Sequence, residues 1–197
     1  WIPGMHRAGE LLNRSNPHDG PACPVKKGSR TARALAGALL ALFAASAPSA
    51  WSAEPEGPLV LTREQGKYPL GRHMAILADE SGALTISEAS SPAMASRYAP
   101  SGFDVPSFGF NSTDYWVRVD LVSRLGRPEE WFLELDYPHM DLFEVYYTDT
   151  DGRPAVKRSG DARPFAEREI DYRNIVFTVP VAAEGRRTLY LHFAGSC

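Results

Sequence analysis

Trp116, Arg118 and Asp120 stand at alternate positions in the stretch "TDYWVRVDL", residues 113–121. Successive side chains on a strand point to opposite faces, so these three would share one side. Tyr115, Val117, Val119 and Leu121 would share the other, an ordinary core stripe. An indole, a guanidinium and a carboxylate on one surface offer a stacking ring and bidentate hydrogen-bonding groups. That composition suits a polar ligand such as a sugar. The same alternation in other segments adds Glu134 and Asp136, then Tyr146, then Tyr190 and His192, with Phe132 and Glu144 beside them. Structural roles compete for the same residues: Arg118 would pair with Asp136 or Glu134 across neighbouring strands, and the loop before Trp116 would cover its ring.

Hydrolysis is a second chemistry to weigh. Glu134 and Asp136 on one strand face would lie about 6–7 Å apart at normal strand rise, near the separation used by glycosidase carboxylate pairs. Nothing else in the sequence supports catalysis. There is no nucleophile elbow and no phosphate-cradling glycine loop, and His6, His18, His73, His139 and His192 lack metal-ligand spacing. Cys23 and Cys197 are the two cysteines, and they fall on opposite sides of an expected cleavage site, so no internal disulfide is expected. The sequence thus predicts a non-enzymatic chain with no catalytic residue, no metal and no cofactor.

The elements that position these residues read as short strands. Strands are expected at residues 115–122, 131–137, 142–148, 175–181 and 188–193, with two more at 58–62 and 72–79. Thr85 and Glu88 have capping-box spacing and predict a short helix limited by Pro92. Residues 98–114 are rich in Gly, Pro, Asn and Ser and read as a long surface loop, and residues 158–174 as a polar excursion. Inward positions are Trp131, Leu133, Leu135 and Tyr137; Phe143, Val145 and Tyr147; Ile175, Phe177 and Val179; and Leu189, Leu191 and Phe193. Sixteen Gly and sixteen Pro favour turns over long helices. Strands at this spacing with such turns predict an all-β fold, an antiparallel sandwich.

The net charge of −3 conceals an asymmetry. Residues 1–53 hold six Lys/Arg and two Asp/Glu, leaving 15 basic and 22 acidic side chains in the remainder. A domain of net −7 gains nothing from counterion release, which argues against nucleic acid as a partner. Residues 25–52 combine a basic start (Lys26, Lys27, Arg30, Arg33), an apolar run from Ala34 to Ala47, and a small-x-small site at Ala50–Ser52. That is the pattern of a secretory signal peptide, and the run is too short to span a bilayer comfortably. The expected organisation is an extension at 1–24 outside the native protein, with translation starting at Val25. A signal peptide at 25–52, a linker and edge strand at 53–69, and the sandwich at 70–197 follow.

From Leu70 onwards the blocks "LGRHMAILADESGALTISEA", "FGFNSTDYWVRVDLVS", "EEWFLELDYPHMDLFEVYY", "RSGDARPFAEREIDYRNIVFTV" and "TLYLHF" appear in order. In these the sequence resembles the periplasmic sensing domain of bacterial seven-transmembrane receptors with diverse intracellular signalling modules. The resemblance implies a jelly-roll β-sandwich similar to carbohydrate-binding modules, exported to the periplasmic face of the inner membrane of a Gram-negative bacterium. It implies a ligand-sensing role within a receptor whose output is a diguanylate cyclase, histidine kinase or phosphatase module. Implied partners are a carbohydrate or other small polar ligand, a periplasmic protein or a second copy, and the membrane through later helices. Positions matching the family pattern are Trp116, Arg118, Asp136, Tyr137, Pro138, Gly160, Pro164 and Arg173; a positive residue is usual where this chain has His192. The family continues past the point where "FAGSC" stops, so a longer receptor is implied. A secreted carbohydrate-binding module serving a hydrolase is the alternative.

Overall fold

Alternating burial marks out the strands. The computed structural model describes residues 3–8, 56–108, 113–137 and 139–194. In chain order the strands are β1 (Pro3–Arg7), β2 (Leu59–Thr62), β3 (Lys67–Pro69), β4 (Met74–Asp79), β5 (Ala99–Pro100) and β6 (Asp114–Arg124). They continue with β7 (Glu129–Leu135), β8 (Leu142–Thr148), β9 (Pro154–Ser159), β10 (Ile175–Val181) and β11 (Glu184–Ala194). The helix α1 (Ile86–Ala89) lies between β4 and β5. It starts where the sequence predicts, with Thr85 and Glu88 completing a reciprocal capping box.

The strands divide between two sheets that form a jelly-roll-like sandwich. A four-stranded sheet has the order β10-β7-β1-β3, and a seven-stranded sheet has the order β5-β4-β6-β11-β8-β9. In the second, β2 adds to β6 as a parallel neighbour beyond the end of β4; all other pairs are antiparallel. Val117, Val119 and Leu121 of β6 meet Leu189, Leu191 and Phe193 of β11 on the inner face, with Trp131, Leu133 and Leu135 of β7 opposite. Every one of these is at most 2% exposed. The Phe143 ring bridges the sheets, 5.4 Å from Phe177 and 4.9 Å from Phe193. The expected inward residues therefore do face a common core, since a sandwich buries the apolar half of each strand.

Besides the short β3 and β5, which were not expected, two further strands depart from the sequence reading. Residues 3–7 fall inside the segment expected to lie outside the domain, yet β1 is an inner strand paired on both sides, with Met5 fully buried. Its apolar signal is a single large side chain next to Pro-Gly, too short to register as alternation. β9 lies where no strand was expected, because this edge strand alternates exposed and half-buried residues and carries Lys157 and Arg158. Charged edges of this kind discourage pairing with another chain. The expected signal peptide, residues 25–52, lies outside the described residues, as does Pro138. Gly160, which follows β9, has φ of +150°, and a β-carbon there would sit 2.1 Å from the Asp141 carbonyl oxygen. Only glycine fits that backbone approach.

Candidate functional site

Three rows of side chains cross the outer face of the seven-stranded sheet, because antiparallel registers set partners opposite one another. The first row runs Leu77, Trp116, His192, Glu144, Arg158, one from each of β4, β6, β11, β8 and β9. The second runs Ala75, Arg118, Tyr190, Tyr146, Val156. Asp120 and Thr188 form a third. Six of the eight expected site residues, Trp116, Arg118, Asp120, Tyr146, Tyr190 and His192, are thus brought onto one surface.

The first row is a closed network. The His192 ring stacks on Trp116 with centroids 4.4 Å apart and an 18° interplanar angle. Its Nδ1 is 2.9 Å from Glu144 Oε2, and its Nε2 is 3.6 Å from Asp114 Oδ2. Glu144 also accepts a hydrogen bond from Tyr146 Oη at 2.9 Å and another from Arg158 Nε. Burial opposes ionisation of Glu144, but the bonds to His192, Arg158 and Tyr146 outweigh it and bring the carboxyl down to about 2. Asp114 moves the other way, since burial raises it more than His192 lowers it. The bond to Glu144 holds the Arg158 guanidinium above its ordinary range.

Burial corrects one expectation outright. Trp116 is 1% exposed, so it is no stacking platform for an external ligand. The indole is roofed by the segment from α1 to Tyr98 and packs in a second apolar cluster with Leu77, Ala89 and Tyr98. Tyr98 donates its hydroxyl to the Ala89 carbonyl at 3.2 Å and so pins the roof down. The covering segment lies mostly before the loop that the sequence suggested for this role and ends on that loop's first residue, Tyr98. Its apolar residues, Leu84, Ile86 and Met94 among them, are the signal that was available.

The second and third rows stay accessible. Arg118 and Asp120 have side chains 32% and 41% exposed, and Arg118 Nη2 donates to Asp120 Oδ2 at 3.1 Å. Thr188 Oγ1 donates to Asp120 Oδ1 at 2.7 Å. The guanidinium carbon of Arg118 lies 5.9 Å from the centre of the Tyr98 ring. Its Nε is buried with no hydrogen-bond partner among the described residues. Tyr146 and Tyr190 are half-buried, and burial raises both hydroxyls above their usual range. Such phenols stay protonated and serve as donors, Tyr146 already to Glu144. Asp120 and Thr188 also line a shallow groove of about 300 Å³ with Pro58, Arg186 and Arg187. This surface offers a cation, an anion and two phenols to a polar ligand.

Glu134 and Asp136 are not part of it. They belong to the other sheet, at the end of β7, so Arg118 pairs with Asp120 rather than with either of them. Asn174 Nδ2 bridges the two carboxylates at 2.7 and 2.8 Å, and His6 Nε2 lies 2.9 Å from Glu134 Oε2. Burial opposes ionisation of Glu134, and the bonds from His6 and Asn174 overcome it and lower the carboxyl. One amide nitrogen thus ties a buried carboxylate to an exposed one at this end of the sheet. Asn174 and His6 escaped the sequence reading because their partners lie on strands remote in sequence, and Arg158 because β9 was not expected as a strand. Glu144 was already legible as an outward residue. Among the described residues no group of three His, Cys, Asp or Glu is placed to hold a metal ion. No helix among them is long and apolar enough to cross a membrane.

Comparison with known proteins supplies one match. The family model described as 7TMR-DISM extracellular 2 matches residues 71–196. No curated protein and no solved structure matches the chain significantly.

Proposed function

Because the chain belongs to the 7TMR-DISM extracellular 2 family, and so is an extracellular domain of a transmembrane receptor, we propose that it senses a small polar ligand on the outer face of the seven-stranded sheet. Arg118, Asp120, Tyr146 and Tyr190 make the contacts, and the domain is non-enzymatic, with the signal passed on by the receptor's membrane part. The supporting observation is the layering of this face. Accessible charged and phenolic groups stand in rows beside a largely buried, mutually bonded base of Trp116, His192 and Glu144. Such a base fixes side-chain geometry before binding, which lowers the ordering cost of recognition.

Location on the periplasmic face of a Gram-negative inner membrane belongs to the same proposal. Nothing in the geometry favours a carbohydrate over other polar ligands, since the ring expected to stack on a sugar is buried. A ligand drives signalling only through its differential affinity for two states of the domain. The test is a thermal-shift and calorimetric screen of the chain against amino acids, organic acids, peptides and sugars. A hit should be lost in Arg118→Ala and weakened in Tyr190→Phe. A hit that binds both variants as tightly as the parent chain would move the site elsewhere.

A further inference from the structure

The accessible rows hold their inner carboxylate closely. Asp120 Oδ2 accepts from Arg118 Nη2 at 3.1 Å and Oδ1 accepts from Thr188 Oγ1 at 2.7 Å, so each oxygen already has a protein donor. Cations further along the same face have no such partner. The register of β6 and β11 sets Arg186 opposite Val122 and Arg124 opposite Glu184, continuing the outward positions of Arg118, Asp120, Thr188 and Tyr190. Arg124 and Arg186 are exposed, and among the described residues neither forms an ion pair or a side-chain hydrogen bond. Arg118, Arg124 and Arg186 thus outnumber Asp120 and Glu184 here, on a domain that is acidic as a whole. Arg186 lines the groove of about 300 Å³ together with Asp120, Val122, Thr188 and Pro58. The Tyr190 hydroxyl, opposite Arg118, has no hydrogen-bond partner among the described residues, and burial holds it protonated.

Granted the receptive face proposed above, on which this rests, we propose that its ligand is a small organic dianion, a dicarboxylate in the simplest form. One acid group is held by Arg118 and Tyr190, and the other by Arg186. A guanidinium fork takes a carboxylate bidentately, and a phenol adds a further donor. Arg118 and Val122, the residue opposite Arg186, lie four positions apart on β6, about 13 Å at normal strand rise. Two long arginine side chains and a chain of a few carbons span that distance. Val122 and Pro58 give the carbons an apolar lining. An ammonium ligand would instead need an unpaired carboxylate, and among the described residues the groove's carboxylate is the paired Asp120. A neutral ligand would draw little from the charge of Arg186.

The test is isothermal titration of the full chain at low salt with the dicarboxylates from malonate to adipate, beside butyrate, glucose and putrescine. At least one dicarboxylate should bind saturably, butyrate should bind roughly tenfold or more weakly, and glucose and putrescine should give no heat. Arg118→Ala and Arg186→Gln should each weaken the dicarboxylate about tenfold, as expected for loss of one charge-assisted contact. Arg186 is exposed and has no partner among the described residues, so Arg186→Gln should melt with the parent chain and report on contact alone. Added salt should weaken binding severalfold, because exposed charges are screened. No heat from the whole dicarboxylate series overturns the dianion. A glucose or putrescine signal that Arg118→Ala abolishes also overturns it, while keeping the face. Loss in Arg118→Ala but not in Arg186→Gln removes the second acid group and so overturns it as well. Dicarboxylate binding that neither variant weakens overturns both the dianion assignment and the face itself.

Discussion

Glu144 and Glu134 are both buried carboxylates with an imidazole nitrogen 2.9 Å away, yet they are tied into the molecule differently. His192 reaches Glu144 from the adjacent strand β11, and Arg158 does so from β9 on the other side. Tyr146 donates from two residues along the same strand. Sheet register alone sets every partner. Glu134 draws His6 from a strand remote in sequence and Asn174 from the residue before β10. The first network follows from neighbouring strands of one sheet, whereas in the second the His6 contact depends on β1 and the Asn174 contact does not. A buried charge needs partners in either case, and here they come from adjacent strands for Glu144 and from segments remote in sequence for Glu134.

The sharpest way to break this comparison is Trp116→Ala. Removing a buried indole from beneath His192 should cost about 3–5 kcal/mol of stability in urea unfolding. A cost under about 1 kcal/mol would show that the ring is dispensable to the layer.

Next in size is Glu144→Gln, expected to cost about 3 kcal/mol at pH 7. The carboxyl falls from the usual 4.5 to about 2 in the folded state, with burial opposing and the His192, Arg158 and Tyr146 bonds prevailing. A folded pKa below the unfolded one contributes stability that is complete above about 5 and lost as pH falls towards 2. Glu144→Gln should therefore flatten the acid limb of a stability–pH curve. An unchanged limb would remove Glu144 from the network.

Glu134→Gln should cost less, about 1–3 kcal/mol, because Asn174 still has Asp136 to accept its bond. Its diagnostic is coupling. In a double-mutant cycle with Met5→Asp the Glu134 effect should shrink by about 0.5 kcal/mol or more. Additive effects would mean that the carboxylate is held independently of β1.

Smallest is Arg118→Ala, worth under about 1 kcal/mol, since a partly exposed pair with Asp120 is screened by water. A large loss of stability there would recast the accessible row as structural.

Much of the fold was legible because alternation is a local property. The residues of β6, β8, β10 and β11 that read as inward do line the core, and the capping box at Thr85 starts α1 as expected. Of the site, the grouping of Arg118, Asp120, Tyr146, Tyr190 and His192 was readable, but the burial of Trp116 was not. Its cover depends on where the α1-to-Tyr98 segment folds back. Glu134 and Asp136 went astray because β7 has the same outward pattern as β6 while belonging to the opposite sheet.

By itself, then, the sequence determined which side chains of each strand turn inward, since that follows from the two-residue period and the apolar residues placed on it. Tertiary structure alone decided which strands are neighbours, and so that Glu144 joins His192, that Glu134 joins His6, and that residues 3–7 enter a sheet at all. The physical reason is that backbone donors and acceptors are nearly alike at every residue. Sheet membership is therefore settled by the packing of segments remote from one another, which no local pattern encodes.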